Sequence, residues 1–216
     1  MIGIVVPAHN EQALLDDCLL ALIRAAMHPA LLGEAVRIMV VLDACSDASA
    51  RVVAAHEGVM TLEMNDGNVG RARHAGALQL LEAGARWLAF TDADSRVSAD
   101  WLSVQLASPG DVICGSVRLD GWDDMPRALR QRYLAERRLV TANRHIHGAN
   151  MGVSADAYRA VGGFAPLSAH EDVRLIQALM AAGFHVHWAP ELRVMTSARL
   201  EARAPEGMGT LLNSLQ

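Results

Sequence analysis

The chain has 216 residues, 52% hydrophobic and 20% charged, enough for one domain with a full core. Its formal net charge is −5 and all 19 basic residues are arginines. That excludes a basic footprint for nucleic acid, a Schiff-base or general-base lysine and a phosphate-loop lysine. Three widely spaced cysteines, Cys18, Cys45 and Cys114, fit neither a zinc spacing nor a disulfide framework. No apolar run reaches membrane-spanning length and no charged leader precedes the first apolar segment, so a cytoplasmic protein without a transmembrane segment is expected.

Ile2 to Val6 is a short β-branched run ending at Pro7, which predicts a buried strand followed by the loop Pro7-Ala8-His9-Asn10-Glu11. Leu14, Leu15, Cys18, Leu19, Leu22, Ile23 and Ala26 recur at helical spacing, with Asn10 placed to cap that helix and Glu11 in its first turn. Val36 to Leu42 is a second strand ending at Asp43-Ala44-Cys45-Ser46-Asp47, where Ser46 or Asp47 can cap a helix through about Ala55. Val59 to Met64 is a third strand. Asn68-Val69-Gly70-Arg71-Ala72-Arg73 then enters a helix to about Ala83, and Trp87 to Thr91 is a fourth strand. Strand and helix alternate with short loops, which predicts a mostly parallel sheet flanked by helices in a single α/β domain. Ligands of such sheets bind beyond the carboxyl ends of the strands. Those ends carry His9, Asn10, Glu11, Asp43, Asp47, Asp92 and Asp94.

Beyond them, Asp100 and Trp101 open a short helix and Asp111 to Leu119 is a strand. Arg127 to Val140 is an Arg-rich helix whose charge is either a solvated face or a contact for an acceptor or anionic surface. The segment His145 to Val153 leads to a short helix over Ala155 to Val161 and to Gly162-Gly163. His170-Glu171-Asp172 starts an amphipathic helix to about Ala182, His185 to Trp188 is strand-like, and the tail from Thr196 is poorly patterned.

The chemistry concentrates on Asp92-Ala93-Asp94. Side chains alternate along an extended chain, so both carboxylates can face one side of the strand's end. Two like charges there repel unless a cation or solvent lies between them. Hard oxygen donors suit Mg²⁺ or Mn²⁺ bound through one or two carboxylates plus substrate phosphates. The alternative for the same residues is an exposed turn.

Six segments together resemble glycosyltransferase family 2, the inverting enzymes of the GT-A fold: Val5-Val6-Pro7-Ala8-His9-Asn10-Glu11, Asp43-Ala44-Cys45-Ser46-Asp47, Asn68-Val69-Gly70-Arg71, Asp92-Ala93-Asp94, Gly148-Ala149-Asn150-Met151 and Glu171-Asp172. The resemblance implies a GT-A domain over residues 1–203, with a nucleotide-binding half at 1–95, an acceptor-binding half at 96–203 and a tail at 204–216. It implies a nucleotide-diphosphate sugar donor, usually a UDP-sugar, and an acceptor hydroxyl of unknown identity. Pro7, Ala8, Asn10 and Glu11 would lie against the nucleoside, Asp43 would bond the base, and Asn68 and Arg71 would belong to the same donor site. Asp92 would face the ribose or the ion, with Ala93 between it and Asp94, the ligand of Mn²⁺ or Mg²⁺. His147, Gly148, Ala149, Asn150, His170 and Glu171 would line the junction of donor sugar and acceptor, and Asp172 would be the catalytic base. Arg199 or Arg203 would bring positive charge to the diphosphate.

This division of labour is chemically coherent. The leaving diphosphate develops negative charge, and the acceptor hydroxyl must lose a proton as it attacks. Other readings of single residues stand beside it. Asp43 can cap a turn, Arg71 and Arg73 can be solvated helix charges, Asn150 can bond backbone in a buried turn, and Glu171 and Asp172 suit a helix N-terminus. His185 and His187 share a strand face, and neither matches a metal-ligand position of the family. The rival functions are a nucleotidyltransferase making sugar nucleotides and a non-catalytic nucleotide-sugar binding module. A dinucleotide-binding dehydrogenase is disfavoured, since no Gly-x-Gly-x-x-Gly follows the first strand.

Overall fold

The structure, a computed structural model, describes residues 1–122, 125–139, 146–199 and 214. The first part runs β1 (Ile2–Ala8), α1 (Leu15–Ala26), a 3₁₀ turn (Pro29–Leu31), β2 (Val36–Asp43), α2 (Ser49–Ala54), β3 (Met60–Met64), α3 (Val69–Glu82) and β4 (Trp87–Phe90). The second runs β5 (Ser95–Arg96), α4 (Trp101–Ala107), β6 (Val112–Leu119), α5 (Arg127–Leu139), β7 (Met151–Ser154), α6 (Ala155–Ala160), α7 (Glu171–Ala181) and β8 (Val186–Thr196). All the strands join one sheet in the order β3-β2-β1-β4-β7-β6-β8-β5. β1 to β4 pair in parallel, as does β6 with β8, while β7 runs antiparallel between β4 and β6 and β5 antiparallel to β8. The sheet is mostly parallel, as the alternation predicts, and its second half is mixed.

β1 is buried on both faces, and its alternation divides the core into two layers. Ile2, Ile4 and Val6 pack with Leu15, Leu19 and Leu22 of α1 and with Trp101 and Leu102 of α4. Val5 points the other way, into a layer with Leu80 of α3, Tyr158 of α6 and Leu175 and Ile176 of α7. α3 lies close on the sheet because position 76 is glycine. A Cβ there would stand 2.8 Å from Val41 Cγ2 and 2.9 Å from Val5 Cγ1.

Three local expectations change. Asn10 does not cap α1, which begins five residues later at Leu15, behind Leu14, without a side-chain cap. Asn10 instead takes a left-handed φ of 56° and turns its amide towards the loop after β2. The short strand β7 hides in a segment without an alternating pattern, because it is covered on both faces. β8 runs to Thr196, beyond the strand-like stretch ending at Trp188. Pro190 has no N–H for the ladder, and the strand bulges there: Gly115 is opposite Ala189 while the next residue, Ser116, is opposite Arg193. Cys18, Cys45 and Cys114 are free thiols, and among the described residues no helix is long and apolar enough to cross a membrane.

Arg86, just before β4, forks onto Glu34, just before β2, at 2.7 and 2.6 Å. The bonds from Arg86, helped by the N-terminal amine 3.1 Å from Oε1, pull the Glu34 carboxyl from an ordinary 4.5 to about 2 against the opposing effect of burial. A carboxyl depressed on folding stabilises fully above its unfolded value and loses that contribution as pH falls through the folded one. The Arg86 side chain is 57% exposed and solvent screens the pair, so Glu34→Gln should cost at most about 1 kcal/mol at pH 7. In urea titrations the difference from wild type should shrink as pH drops below 4.5 and vanish near 2.

Candidate active site

The loops after β1, β2 and β4 form the first wall of the site. Asn10 Oδ1 accepts from Ser46 N at 2.7 Å and Asp47 N at 3.2 Å, and Glu11 N donates to Ser49 Oγ at 2.9 Å. His9 Nδ1 lies 2.8 Å from the Asp43 carbonyl, which can only accept, so that nitrogen carries the proton. Pro7 is half-buried and Ala8 buried at the strand end. The Asp43 carboxylate accepts from three backbone amides, Asp66 N and Gly67 N at 2.7 and 2.9 Å and Asn68 N at 2.7 Å. It therefore fixes the turn that starts α3. Asn68 caps α3 through Arg71 N at 3.0 Å and reaches Pro166 O at 3.3 Å. Arg71 itself is exposed, 3.8 Å from Asp66.

Asp92 and Asp94 follow β4 on either side of the buried Ala93. Their surroundings differ. Asp92 Oδ1 accepts from Arg73 Nη2. Asp94 Oδ1 accepts from Ser95 Oγ at 3.3 Å, and Asp94 Oδ2 is 3.2 Å from Arg199. Burial, then the neighbouring Asp92 charge, push the Asp94 carboxyl up to about 7, with Arg199 pulling the other way. Arg199 also forks onto Glu11, with Nη1 2.5 Å from Oε2 and Nη2 on Oε1. Burial disfavours its charge, and Glu11 and Asp94 more than offset that. The segment after β8 is thus fastened across the strand ends, helped by Ser197 N on the Asp94 carbonyl at 3.1 Å and Ser95 Oγ against Thr196 Oγ1 at 2.7 Å. Arg203 and residues 204–213 lie outside the described residues.

Opposite stand the segment before β7 and the start of α7. Asp172 is half-buried in the first turn of α7, and its Oδ2 accepts from Gly148 N at 2.7 Å. Glu171 is buried and accepts from Arg73 Nη1. Burial raises its carboxyl while Arg73 lowers it, and burial prevails. Ala149 is buried, His147 half-buried, and His170 exposed with a left-handed φ of 60°. Asn150 is fully buried, with each polar group of its side chain bonded. Nδ2 donates to Ser116 O and Leu192 O, both at 2.8 Å, and Oδ1 accepts from Trp101 Nε1 at 2.9 Å. It ties β6, β8 and α4 together beneath the Gly148 turn.

Arg73 is the site residue that the sequence reading left as a helix charge, with Arg71 preferred. Arg73 is 3% exposed and joins Asp92 to Glu171. Burial opposes its charge, and Asp92, Glu171 and Asp172 outweigh that and hold it protonated. The signal was spacing: Arg73 shares a stripe with Gly76, Ala77 and Leu80, all buried, whereas Arg71 lies on the solvent side.

Among the described residues no cluster of three or more His, Cys, Asp or Glu is placed to cage a metal ion. Asp92 and Asp94 can still offer a hard divalent ion one or two carboxylates, the donor set for an ion held mainly by substrate phosphates and water. Among the described residues, Asp92 and Glu171 pair with Arg73 and Glu11 and Asp94 with Arg199, while Asp43 and Asp172 accept from backbone amides, so a diphosphate would meet more carboxylates than cations. That balance fits an ion arriving with the phosphates.

The sequence model described as "Glycosyl transferase family 2" matches residues 3–162, and the chain belongs to that family. Its fold is the GT-A fold of solved glycosyltransferase structures. S. aureus TarS 1-349 in complex with UDP-GlcNAc is 16% identical with a TM-score of 0.66, over 92% of this chain and 58% of that one. The mannosyltransferase PcManGT from Pyrobaculum calidifontis, in complex with GDP-Man and Mn²⁺, is 17% identical with a TM-score of 0.65, over 94% and 58%. Glucosyl-3-phosphoglycerate synthase from Mycobacterium tuberculosis, in complex with Mn²⁺, UDP and phosphoglyceric acid, is 15% identical with a TM-score of 0.58, over 100% and 76%. The chain spans less than two thirds of the first two. No curated protein matches it.

Asn150→Ala would strand the Trp101 indole N–H and the carbonyls of Ser116 and Leu192. Each stranded buried group costs about 1–3 kcal/mol where water cannot reach it, so a total loss of roughly 3 kcal/mol is expected in denaturant unfolding.

Proposed function

We propose that this protein transfers a sugar from a nucleotide-diphosphate donor to an acceptor hydroxyl, with inversion at the anomeric carbon. The observation that carries the reading is the meeting of Asp92 and Asp94, the Arg199 segment and Asp172 at one end of the sheet. Family membership supports the reaction class. The loops at Pro7 to Glu11, Asp43 and Asn68 form the nucleoside side, where Asp43 acts at least by holding the turn at 66–68. Asp94, with Asp92 beside it, would hold Mg²⁺ or Mn²⁺ together with the donor phosphates, and the ion would supply positive charge to the leaving diphosphate. Arg199 adds a second cation there once an anionic ligand draws it from Glu11.

Asp172 takes the acceptor proton. As the acceptor oxygen bonds to the anomeric carbon, the bond from that carbon to the diphosphate oxygen breaks, and the hydroxyl proton passes to a carboxylate oxygen of Asp172. The Gly148 N–H fixes Oδ2 at 2.7 Å, so the base keeps one orientation while it works. No covalent enzyme intermediate is needed. The family resemblance implies a uridine nucleotide. Fold neighbours hold UDP-GlcNAc in one case and GDP-Man in another, so both nucleotides belong in the test.

Calorimetric titration of UDP and of GDP, each with and without Mn²⁺, is the direct experiment. Metal-dependent binding of one of them is expected, and Asp94→Asn should abolish it; binding of neither would overturn the reading. Asp172→Asn should leave that binding intact and lower transfer by about 10²–10⁴-fold, the usual contribution of a general base. Arg199→Ala should weaken diphosphate binding by about tenfold, the scale of one charge-assisted contact. Unchanged affinity and turnover would remove Arg199 from the donor site.

A further inference from the structure

Arg73 sits where the two sides of the site touch. One Nη donates to Asp92 at the end of β4 and the other to Glu171 in the first turn of α7. Its guanidinium carbon lies 5.8 Å from the centre of the Phe164 ring, and Phe164 packs on Tyr158 and Phe90. Gly148 lies against the guanidinium, and any Cβ there would overlap Nη1. Gly148 in turn donates its N–H to Asp172. The first turn of α7 is thus tied to Arg73 through Glu171 and to the Gly148 turn through Asp172.

We infer that Arg73 is a positioning residue, which holds Asp172 and the Gly148 turn in register with the donor-side carboxylate Asp92. The inference rests on the reading of this site as a sugar-transfer centre. Arg73 reaches Asp172 by two short routes, through the adjacent Glu171 and through the Gly148 backbone. Its planar fork meets two acids that lie in different directions. A lysine ammonium has the same charge but no fork, and cannot hold both acids in the same geometry. The glycine at 148 follows from the same contact, since the turn must lie flat on the guanidinium.

Arg73→Lys in the full chain tests this, compared by amide hydrogen exchange and by nucleoside diphosphate release from UDP-GlcNAc and GDP-Man. Positioning predicts that the Gly148 amide exchanges about tenfold faster while the amides of β1 keep their protection. It also predicts that kcat falls about 10–100-fold with the donor KM changed less than about threefold, a loss confined to the transition state. Glu171→Gln, nearly isosteric, should speed Gly148 exchange in the same way. It decides the matter if Arg73→Lys does not fold. Unchanged Gly148 exchange overturns the inference, as does loss of protection in β1 to the same degree, which would mark Arg73 as an ordinary core contact. If wild type releases nucleoside diphosphate from no donor, the transfer reading fails, while the exchange comparison still decides the role of Arg73.

Discussion

The site depends on one buried cation. Arg73 is almost fully enclosed, and a charge in that position is tolerable only because Asp92 and Glu171 meet it directly. Such an arrangement adds little net stability, since desolvating three charges offsets most of their attraction. Removing one partner is a different matter, because it leaves an uncompensated charge in the interior. The arrangement therefore fixes geometry more than it stabilises the fold. It obliges α3, the end of β4 and the start of α7 to meet at a single point, and these are the elements that bring the candidate donor and base residues together.

Around that point the loops are held by side chains bonded to backbone. Asp43 gathers three amides of the turn before α3, Asn10 gathers two of the loop after β2, and Asn150 ties two strands to the Trp101 indole. Each is a short polar residue at an element's end, where backbone groups lack partners of their own. A scaffold built this way can present a dense set of carboxylates without collapsing onto them. These bonds hold the loops at the polar edge of the sheet.

Much of this was legible in the chain. The alternation of apolar runs with helical stripes gave the parallel first half, because buried parallel strands read as continuous β-branched runs such as Ile2 to Val6. The polar residues at the strand ends followed from the same pattern. Less legible was the mixed second half. β7 is four residues long and unpatterned, and β8 continues through Pro190 only by bulging. Asn10 was misread because its local sequence suits a cap, while its partners lie more than thirty residues away. Arg73 was legible in principle, from its place on the buried stripe of α3. A charged side chain on such a stripe is easily assigned to the surface when the acids that neutralise it, Asp92 and Glu171, are distant in sequence.

The fork between Arg199 and Glu11 has a consequence for molecular recognition. An anion arriving at Arg199 meets an arginine already bonded to a carboxylate, so its binding is a substitution and not an addition. The free energy gained is only the difference between two similar charge-assisted bonds. On the proposed donor-site reading, Arg199 would add modest affinity and favour a ligand presenting several negative oxygens in a row over one with a single weakly placed oxygen. On that reading the contact would select by the density of charge a ligand carries.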